Sequence, residues 1–272
     1  MIVVTGATGN VGRPLVRALL AAGEQVTAVS RNAAPQPAGV RAHQADLTEP
    51  HTLEPALDGA DAVFLLTSGD FLARGDLGKV VDVVRNAGVR RVVLLSSQGV
   101  GTGRHPAHLE DAVRQPDLDW TILRPGNFAS NALQWAGSVR TERTVVAPFG
   151  DVALPAVDPA DIAAAAAVAL RDPGHAGAVY TLTGPARISP RQQAAAIGEA
   201  LGEPVRFVEQ SRQEAREHML RFMPEPVVEA TLAILGSPSE AEQTVSADAE
   251  RLLGRPPRAF ADWAATNVEA FR

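Results

Sequence analysis

Three glycines near the start of the chain, in the run Thr5-Gly6-Ala7-Thr8-Gly9-Asn10-Val11-Gly12, are spaced G-x-x-G-x-x-G between an apolar stretch and a helical pattern. The chemistry open to such a run is the holding of a pyrophosphate. Gly6 permits a tight turn, Gly9 lets the backbone approach the phosphates, and Gly12 lets the helix pack against the strand. Amides of Thr8, Asn10 and Val11, at the start of that helix, then face the negative charge. The spacing is one residue wider than G-x-G-x-x-G, and its position between strand and helix is what makes it a dinucleotide turn rather than an ordinary glycine loop.

The next strand end offers Ser30-Arg31-Asn32, with no carboxylate to hold a ribose 2′-hydroxyl. Arg31 can instead pair with a 2′-phosphate through its planar fork, so NADP(H) is favoured; with Arg31 read as a solvated loop charge, NAD(H) stays open. Asp46 and Leu47 are placed to meet the adenine edge, and Leu66, Thr67 and Ser68 close the third crossover beside the cofactor. A second group follows the central strand. Ser97 and Gln98 can donate hydrogen bonds to a developing oxyanion, and His105 or His108 can relay a proton. The two histidines have no third ligand nearby, so no metal is expected; no flavin is expected either. Asn127, Phe128, Asn131 and Trp135 come after the last parallel strand as candidate substrate contacts. Met219, Phe222 and Met223 supply an apolar lid in the helical tail, although Met and aromatic residues at this spacing also build cores.

These residues need a scaffold of alternating strands and helices. Apolar runs at 2–4, 25–29, 62–66, 92–95 and 120–123 alternate with helical patterns at 11–22, 77–87 and 109–113. That rhythm predicts a Rossmann-type α/β fold, a doubly wound parallel sheet with strands apolar on both faces. Beyond residue 126 the expectation is a helix-compatible stretch to 135, a strand at 144–147, a helix at 159–170 and a strand at 179–182. A helix at 190–201, ended by Gly202, and an extended run at 205–208 follow. The dinucleotide-binding domain is assigned to 1–150, with a contribution from 151–185, and a smaller, mostly helical substrate lobe to 186–272, over the carboxyl ends of the strands.

Composition narrows the partners. With 272 residues and 46% hydrophobic content the chain can bury a substantial core. A net charge of −6 provides no excess cation for nucleic acid or an anionic membrane. The absence of cysteine excludes disulfides, thiolate metal sites and a cysteine nucleophile. No basic leader precedes residues 2–4, and the longest apolar run, 162–170, is too short to span a bilayer. A cytoplasmic monomer or homodimer with a small-molecule partner is expected.

The glycine turn, Ser30-Arg31-Asn32, Ser96-Ser97, the run Trp120-Thr121-Ile122-Leu123-Arg124-Pro125-Gly126-Asn127-Phe128, Tyr180-Thr181-Leu182-Thr183-Gly184-Pro185 and the tail around Leu253-Gly254-Arg255-Pro256-Pro257 resemble, over essentially the whole chain, the NmrA-like branch of the atypical short-chain dehydrogenase/reductases. The resemblance implies NAD(P) binding and either reduction of quinones and dyes or redox sensing without turnover. Carbonyl-reducing relatives use a tyrosine acid and a lysine four residues later. Here the only tyrosine is Tyr180 and the only lysine Lys79; Pro106 and Glu110 stand where the pair belongs. Without that acid, reduction of an isolated ketone loses a factor of roughly 10²–10⁴. A quinone leaves a phenolate-like anion, of conjugate-acid pKa about 10, that can take its proton from water. The expectation is therefore an NADPH-dependent reductase of a quinone or polycyclic aromatic. Similarity to polyketide hydroxylase components implies that the reduced product can react with dioxygen, and a non-catalytic NADP sensor is the alternative.

Overall fold

The computed structural model describes residues 1–32, 34–67, 69–115 and 117–272. Its strands in chain order are β1 (Ile2–Thr5), β2 (Val26–Ser30), β3 (Arg41–Gln44), β4 (Ala62–Leu65), β5 (Arg91–Leu95), β6 (Asp119–Pro125), β7 (Asn127–Phe128), β8 (Thr144–Ala147), β9 (Leu154–Val157), β10 (Ala178–Leu182), β11 (Arg187–Ile188) and β12 (Arg206–Glu209). The chain folds into two compact units, the first made of Met1–Pro125, Pro159–Leu182 and Asp248–Gly254, the second of Gly126–Asp158, Thr183–Ala247 and Arg255–Arg272.

The first unit is built on a seven-stranded parallel sheet in the order β10-β6-β5-β4-β1-β2-β3. Every residue of β1 and β4 is buried, as all-apolar strands covered on both faces must be. Val3 pairs with Thr27 on one side and Val63 on the other, so the strand order reverses at β1 and opens a crevice at its carboxyl end. The helix Gly12–Ala21 buries Leu15, Val16 and Leu19, one helical face, and packs against the helix Pro159–Arg171. Buried Ala163, Ala166, Ala167 and Ala169 keep that second helix slim on the sheet.

In the second unit β9 lies between β7, parallel, and β11, antiparallel, while β8 and β12 form a separate parallel pair. Its core gathers Trp135, Val139, Val145, Ile197, Phe260, Trp263 and Phe271. The helix Pro190–Leu201 starts at a Ser189/Gln192 capping box and stops at Gly202 with φ +73°, as the spacing predicts.

The division differs from the expected boundary at residue 150. Residues 126–158 join the second unit because β9 pairs with β11 and β8 pairs with β12, partners distant in sequence. Conversely, Asp248–Leu253 belongs to the first unit, where the Thr181 amide donates to Asp248 Oδ2 at 2.9 Å. The stretch after β7 is a 3₁₀ segment, Ala129–Trp135, before it becomes the helix Ala136–Glu142. Strand β9 escapes sequence reading because Pro155 within it argues against a strand. No helix among the described residues is long and apolar enough to cross a membrane.

Candidate active site

The glycine turn joins β1 to the helix Gly12–Ala21 at the strand-order reversal. Gly6 has φ +63°, and a Cβ there would come within 2.9 Å of Leu66 Cδ2. The Gly9 amide donates to the Gly6 carbonyl at 2.9 Å and closes the turn. A Cβ on Gly12 would sit 2.1 Å from the Gly6 carbonyl oxygen and 2.7 Å from Ala7 Cα, so helix and turn can approach only through glycine. Val11 at the helix start is buried, and no side chain caps this helix; Gly9 and Asn10 are exposed. This cradle fits a pyrophosphate, since no side chain competes for the charge-binding end of the helix.

The neighbouring strand ends are tied to the turn. Thr5 Oγ1 donates to the Phe64 carbonyl at 3.0 Å and accepts from the Leu66 amide at 2.8 Å, which draws Leu66 and Thr67 to the glycine run. Ser68 lies outside the described residues. Ser30 Oγ donates to the Asn32 carbonyl at 2.7 Å, and Gln44 Nε2 donates to the Arg31 carbonyl at 3.0 Å, fixing the backbone from which the exposed Arg31 side chain extends. Asp46 Oδ1 accepts from both the amide and the hydroxyl of Thr48, each at 2.9 Å. These bonds, with the charges of Arg31 and Arg74, hold its carboxyl below the usual carboxylate range. Asp46 thus holds its own turn through Oδ1, with Leu47 half-buried beside it. Arg31 and Arg74 both lend positive charge to this strand end, against the carboxylate of Asp46. Arg31→Asp is expected to weaken NADPH binding at least about tenfold more than NADH binding in fluorescence titrations, because it replaces a fork with a like charge; equal loss for both would remove Arg31 from the site.

At the carboxyl end of β5 the structure brings Ser97 and His105 together, with Ser97 Oγ 3.1 Å from His105 Nδ1. Ser97 Oγ also accepts from the Gly99 amide at 3.1 Å as cap of the short helix Gln98–Gly101. The ring can approach because residue 99 is glycine; a Cβ there would lie 2.5 Å from Nδ1. Gln98 is half-buried at the start of the same helix, while His108 opens the next helix and is exposed. The geometry therefore selects His105 rather than His108 as the partner of Ser97.

Glu110 is the residue sequence reasoning left without a role. Its side chain is 1% exposed, and Oε1 accepts from Ser96 Oγ at 2.6 Å and Arg124 Nε at 2.8 Å. Oε2 accepts from Arg124 Nη2 at 2.6 Å and Arg114 Nη2 at 3.1 Å. Burial pushes this carboxyl up, but the hydrogen bonds from Arg124 and Ser96 and the charges of both arginines outweigh it, so its pKa falls below the ordinary value. Arg124, a lone cation at the end of an apolar strand, was the signal that a buried carboxylate waits for it. Tyr180 meets His175 Nδ1 at 2.9 Å on β10, and Lys79 is exposed on the helix Leu77–Asn86, so neither forms a tyrosine–lysine pair.

Within the second unit, Asn131 Nδ2 donates to Asn127 Oδ1 at 2.8 Å, and Phe128 is half-buried beside them. Trp135 belongs to that unit's core, 9% exposed, and thus packs the fold. Met219 and Met223 pack on Ala215, Val228 and Leu232, while Phe222 is 60% exposed. No group of three or more His, Asp or Glu among the described residues could hold a metal. A polar depression of about 290 Å³, lined by Met1, Glu24, Asp61, Arg90, Arg91 and Arg171 among others, lies at the opposite, amino-terminal edge of the sheet from the glycine turn.

The model of the NAD(P)H-binding family matches residues 6–173. A (4-alkanoyl-5-oxo-2,5-dihydrofuran-3-yl)methyl phosphate reductase of Streptomyces griseus is 37% identical over 281 residues, covering 100% of this chain and 99% of that protein. An NAD(P)H azoreductase of Xenophilus azovorans is 33% identical over 288 residues, again covering 100% of this chain and 99% of the other. In fold, the chain matches the NADPH-dependent quinone oxidoreductase of Escherichia coli, solved with NADPH, at a TM-score of 0.81 and 24% identity over 98% of this chain and 99% of that one. The chain belongs to the NAD(P)H-binding family.

Proposed function

We propose that this chain is an NADPH-dependent reductase whose acceptor is a quinone or a comparable conjugated system. The observation that carries the reading is an intact glycine cradle and a Ser97–His105 pair at the carboxyl ends of β1 and β5 in one sheet, with a fully bonded Glu110 where a lysine would serve a tyrosine acid. NADPH supplies the hydride; with one proton, a quinone becomes a hydroquinone and NADP⁺ is left. Ser97 donates a hydrogen bond to the oxygen on which charge develops, and His105 passes the proton from solvent. The acceptors named for the relatives, an alkanoyl-oxo-dihydrofuran, an azo compound and a quinone, support the reading, because each spreads the charge left by hydride over a conjugated system.

For a polycyclic acceptor, the electron-rich product can go on to react with dioxygen. The overall balance is then substrate, NADPH, a proton and O₂ giving hydroxylated product, NADP⁺ and water. NADPH oxidation with naphthoquinones and anthraquinones, run with and without oxygen, tests both levels. Turnover in both atmospheres supports the reductase, and a hydroxylated product only in air supports the oxygen step. Tight NADP binding without oxidation of any acceptor replaces the enzyme by a sensor. Ser97→Ala is expected to lower kcat about 10²-fold with the NADPH dissociation constant unchanged, since it removes a donor to the transition state and leaves the cradle intact; an unchanged kcat would take Ser97 out of the chemistry.

A further inference from the structure

We infer that Glu110 is a positioning residue for the Ser97–His105 pair, acting through Ser96 and Arg124. This rests on the assignment of proton work to that pair. An ionised carboxylate offers about four lone-pair sites. Those of Glu110 receive four bonds, from Ser96 Oγ, Arg124 Nε, Arg124 Nη2 and Arg114 Nη2. No site is left for a proton in flight, so Glu110 is a clamp and not an acid or base. What it clamps borders the pair on two sides. Ser96 precedes Ser97 directly, and its amide donates to the Leu123 carbonyl of β6 at 2.8 Å, so its backbone and hydroxyl are both held. Arg124 spends Nε and Nη2 on Glu110, which aims Nη1 at the turn above: a Cβ on Gly101 would come within 2.9 Å of that nitrogen. Gly99, two residues earlier, carries the His105 ring, and its carbonyl accepts from the Arg104 and His105 amides at 2.8 and 2.9 Å. The short helix Gln98–Gly101 is thus seated on Arg124 by one glycine and under His105 by another. Its height over the sheet sets the Ser97–His105 distance, and Glu110 sets its seat. The two arginines and one carboxylate also leave a net positive charge beneath the turn, on the side where a lysine would otherwise supply it.

Glu110→Gln is the decisive variant, because it keeps the shape but turns an accepting oxygen into a donor facing Arg124. Glu110→Asp, which keeps the charge and shortens the reach, serves if the first does not fold. Three readings are taken on the full chain: kcat with a naphthoquinone, NADPH affinity, and the His105 Nδ1 resonance in ¹⁵N-histidine-labelled protein, assigned with His105→Asn. The expected result is a 10- to 100-fold fall in kcat, NADPH affinity within about threefold of wild type, and a displaced Nδ1 resonance reporting the lost bond to Ser97. An unmoved resonance, whether or not kcat falls, overturns the inference, since Glu110 then acts elsewhere. If His105→Asn turns over at the wild-type rate, the assignment of proton work to the pair fails instead, while the Glu110→Gln resonance still reports whether Glu110 positions His105.

Discussion

Gly12→Ala is expected to raise the NADPH dissociation constant by at least about a hundredfold, which corresponds to about 2.7 kcal/mol. The added Cβ would meet the Gly6 carbonyl oxygen at 2.1 Å and Ala7 Cα at 2.7 Å. Both are backbone atoms, so no flexible side chain can swing away. The helix must instead move off the turn, and its first amides move with it, away from the place where the pyrophosphate charge sits. Gly9→Ala should be milder, because its Cβ would meet the same oxygen at 3.2 Å, a gap that a small backbone adjustment can widen. Gly137→Ala gives the contrast: nothing lies within 4 Å of a Cβ there, and the residue sits in the helix Ala136–Glu142. It should leave NADPH binding alone and raise stability by roughly 0.5–1 kcal/mol. Isothermal titration calorimetry and urea unfolding of the three variants check the order. Equal NADPH affinity in Gly12→Ala and wild type would mean that the nucleotide is held elsewhere.

The second large effect falls on stability. Arg124→Ala should cost about 3–5 kcal/mol at pH 7, because it leaves Glu110, 1% exposed, without its bidentate partner. The pH dependence follows from the sign of the Glu110 shift. Its folded pKa lies below the ordinary value, so the unfolded chain takes up the proton first as pH falls. The ionised carboxylate therefore contributes stability that is fully present above its unfolded pKa of about 4.3 and is lost as pH drops through the lower, folded value. The variant lacks most of that contribution, so the wild-type advantage should narrow steadily below about pH 4. Urea midpoints at pH 7, 5 and 3.5 measure this directly. A gap that stays constant to pH 3.5 would place the stabilising interaction outside the Glu110–Arg124 pair.

The cradle was legible in the sequence because every feature of it is local. Gly6, Gly9 and Gly12 act on one another across seven residues, and the strand before them and the helix after them announce themselves by their own periodicity. Arg31 could be singled out for the same reason: it directly follows the second strand, the position that reads the ribose in dinucleotide folds. The histidines show where such reading stops. His105 and His108 are equivalent on paper, and only the turn of the chain at Gly99 and Gly103 lays the first ring on Ser97 while the second opens the next helix. Trp135 and the methionines, plausible pocket residues by type, pack into the second unit, Trp135 in its main core and Met219 and Met223 between the helices Arg212–Met219 and Glu225–Gly236.

The amino-acid sequence by itself determined the parallel sheet, the glycine turn and the absence of a tyrosine–lysine pair, since each depends on residue type and short spacing. Tertiary structure decided the rest. It bound Glu110 to arginines 4 and 14 residues away, paired β8 with β12 across 62 residues and drew the helix Asp248–Leu253 back to the first unit. The physical reason is common to all three. A buried charge or an open strand edge must find a partner, but neither its sequence distance nor its identity is written in the residues around it.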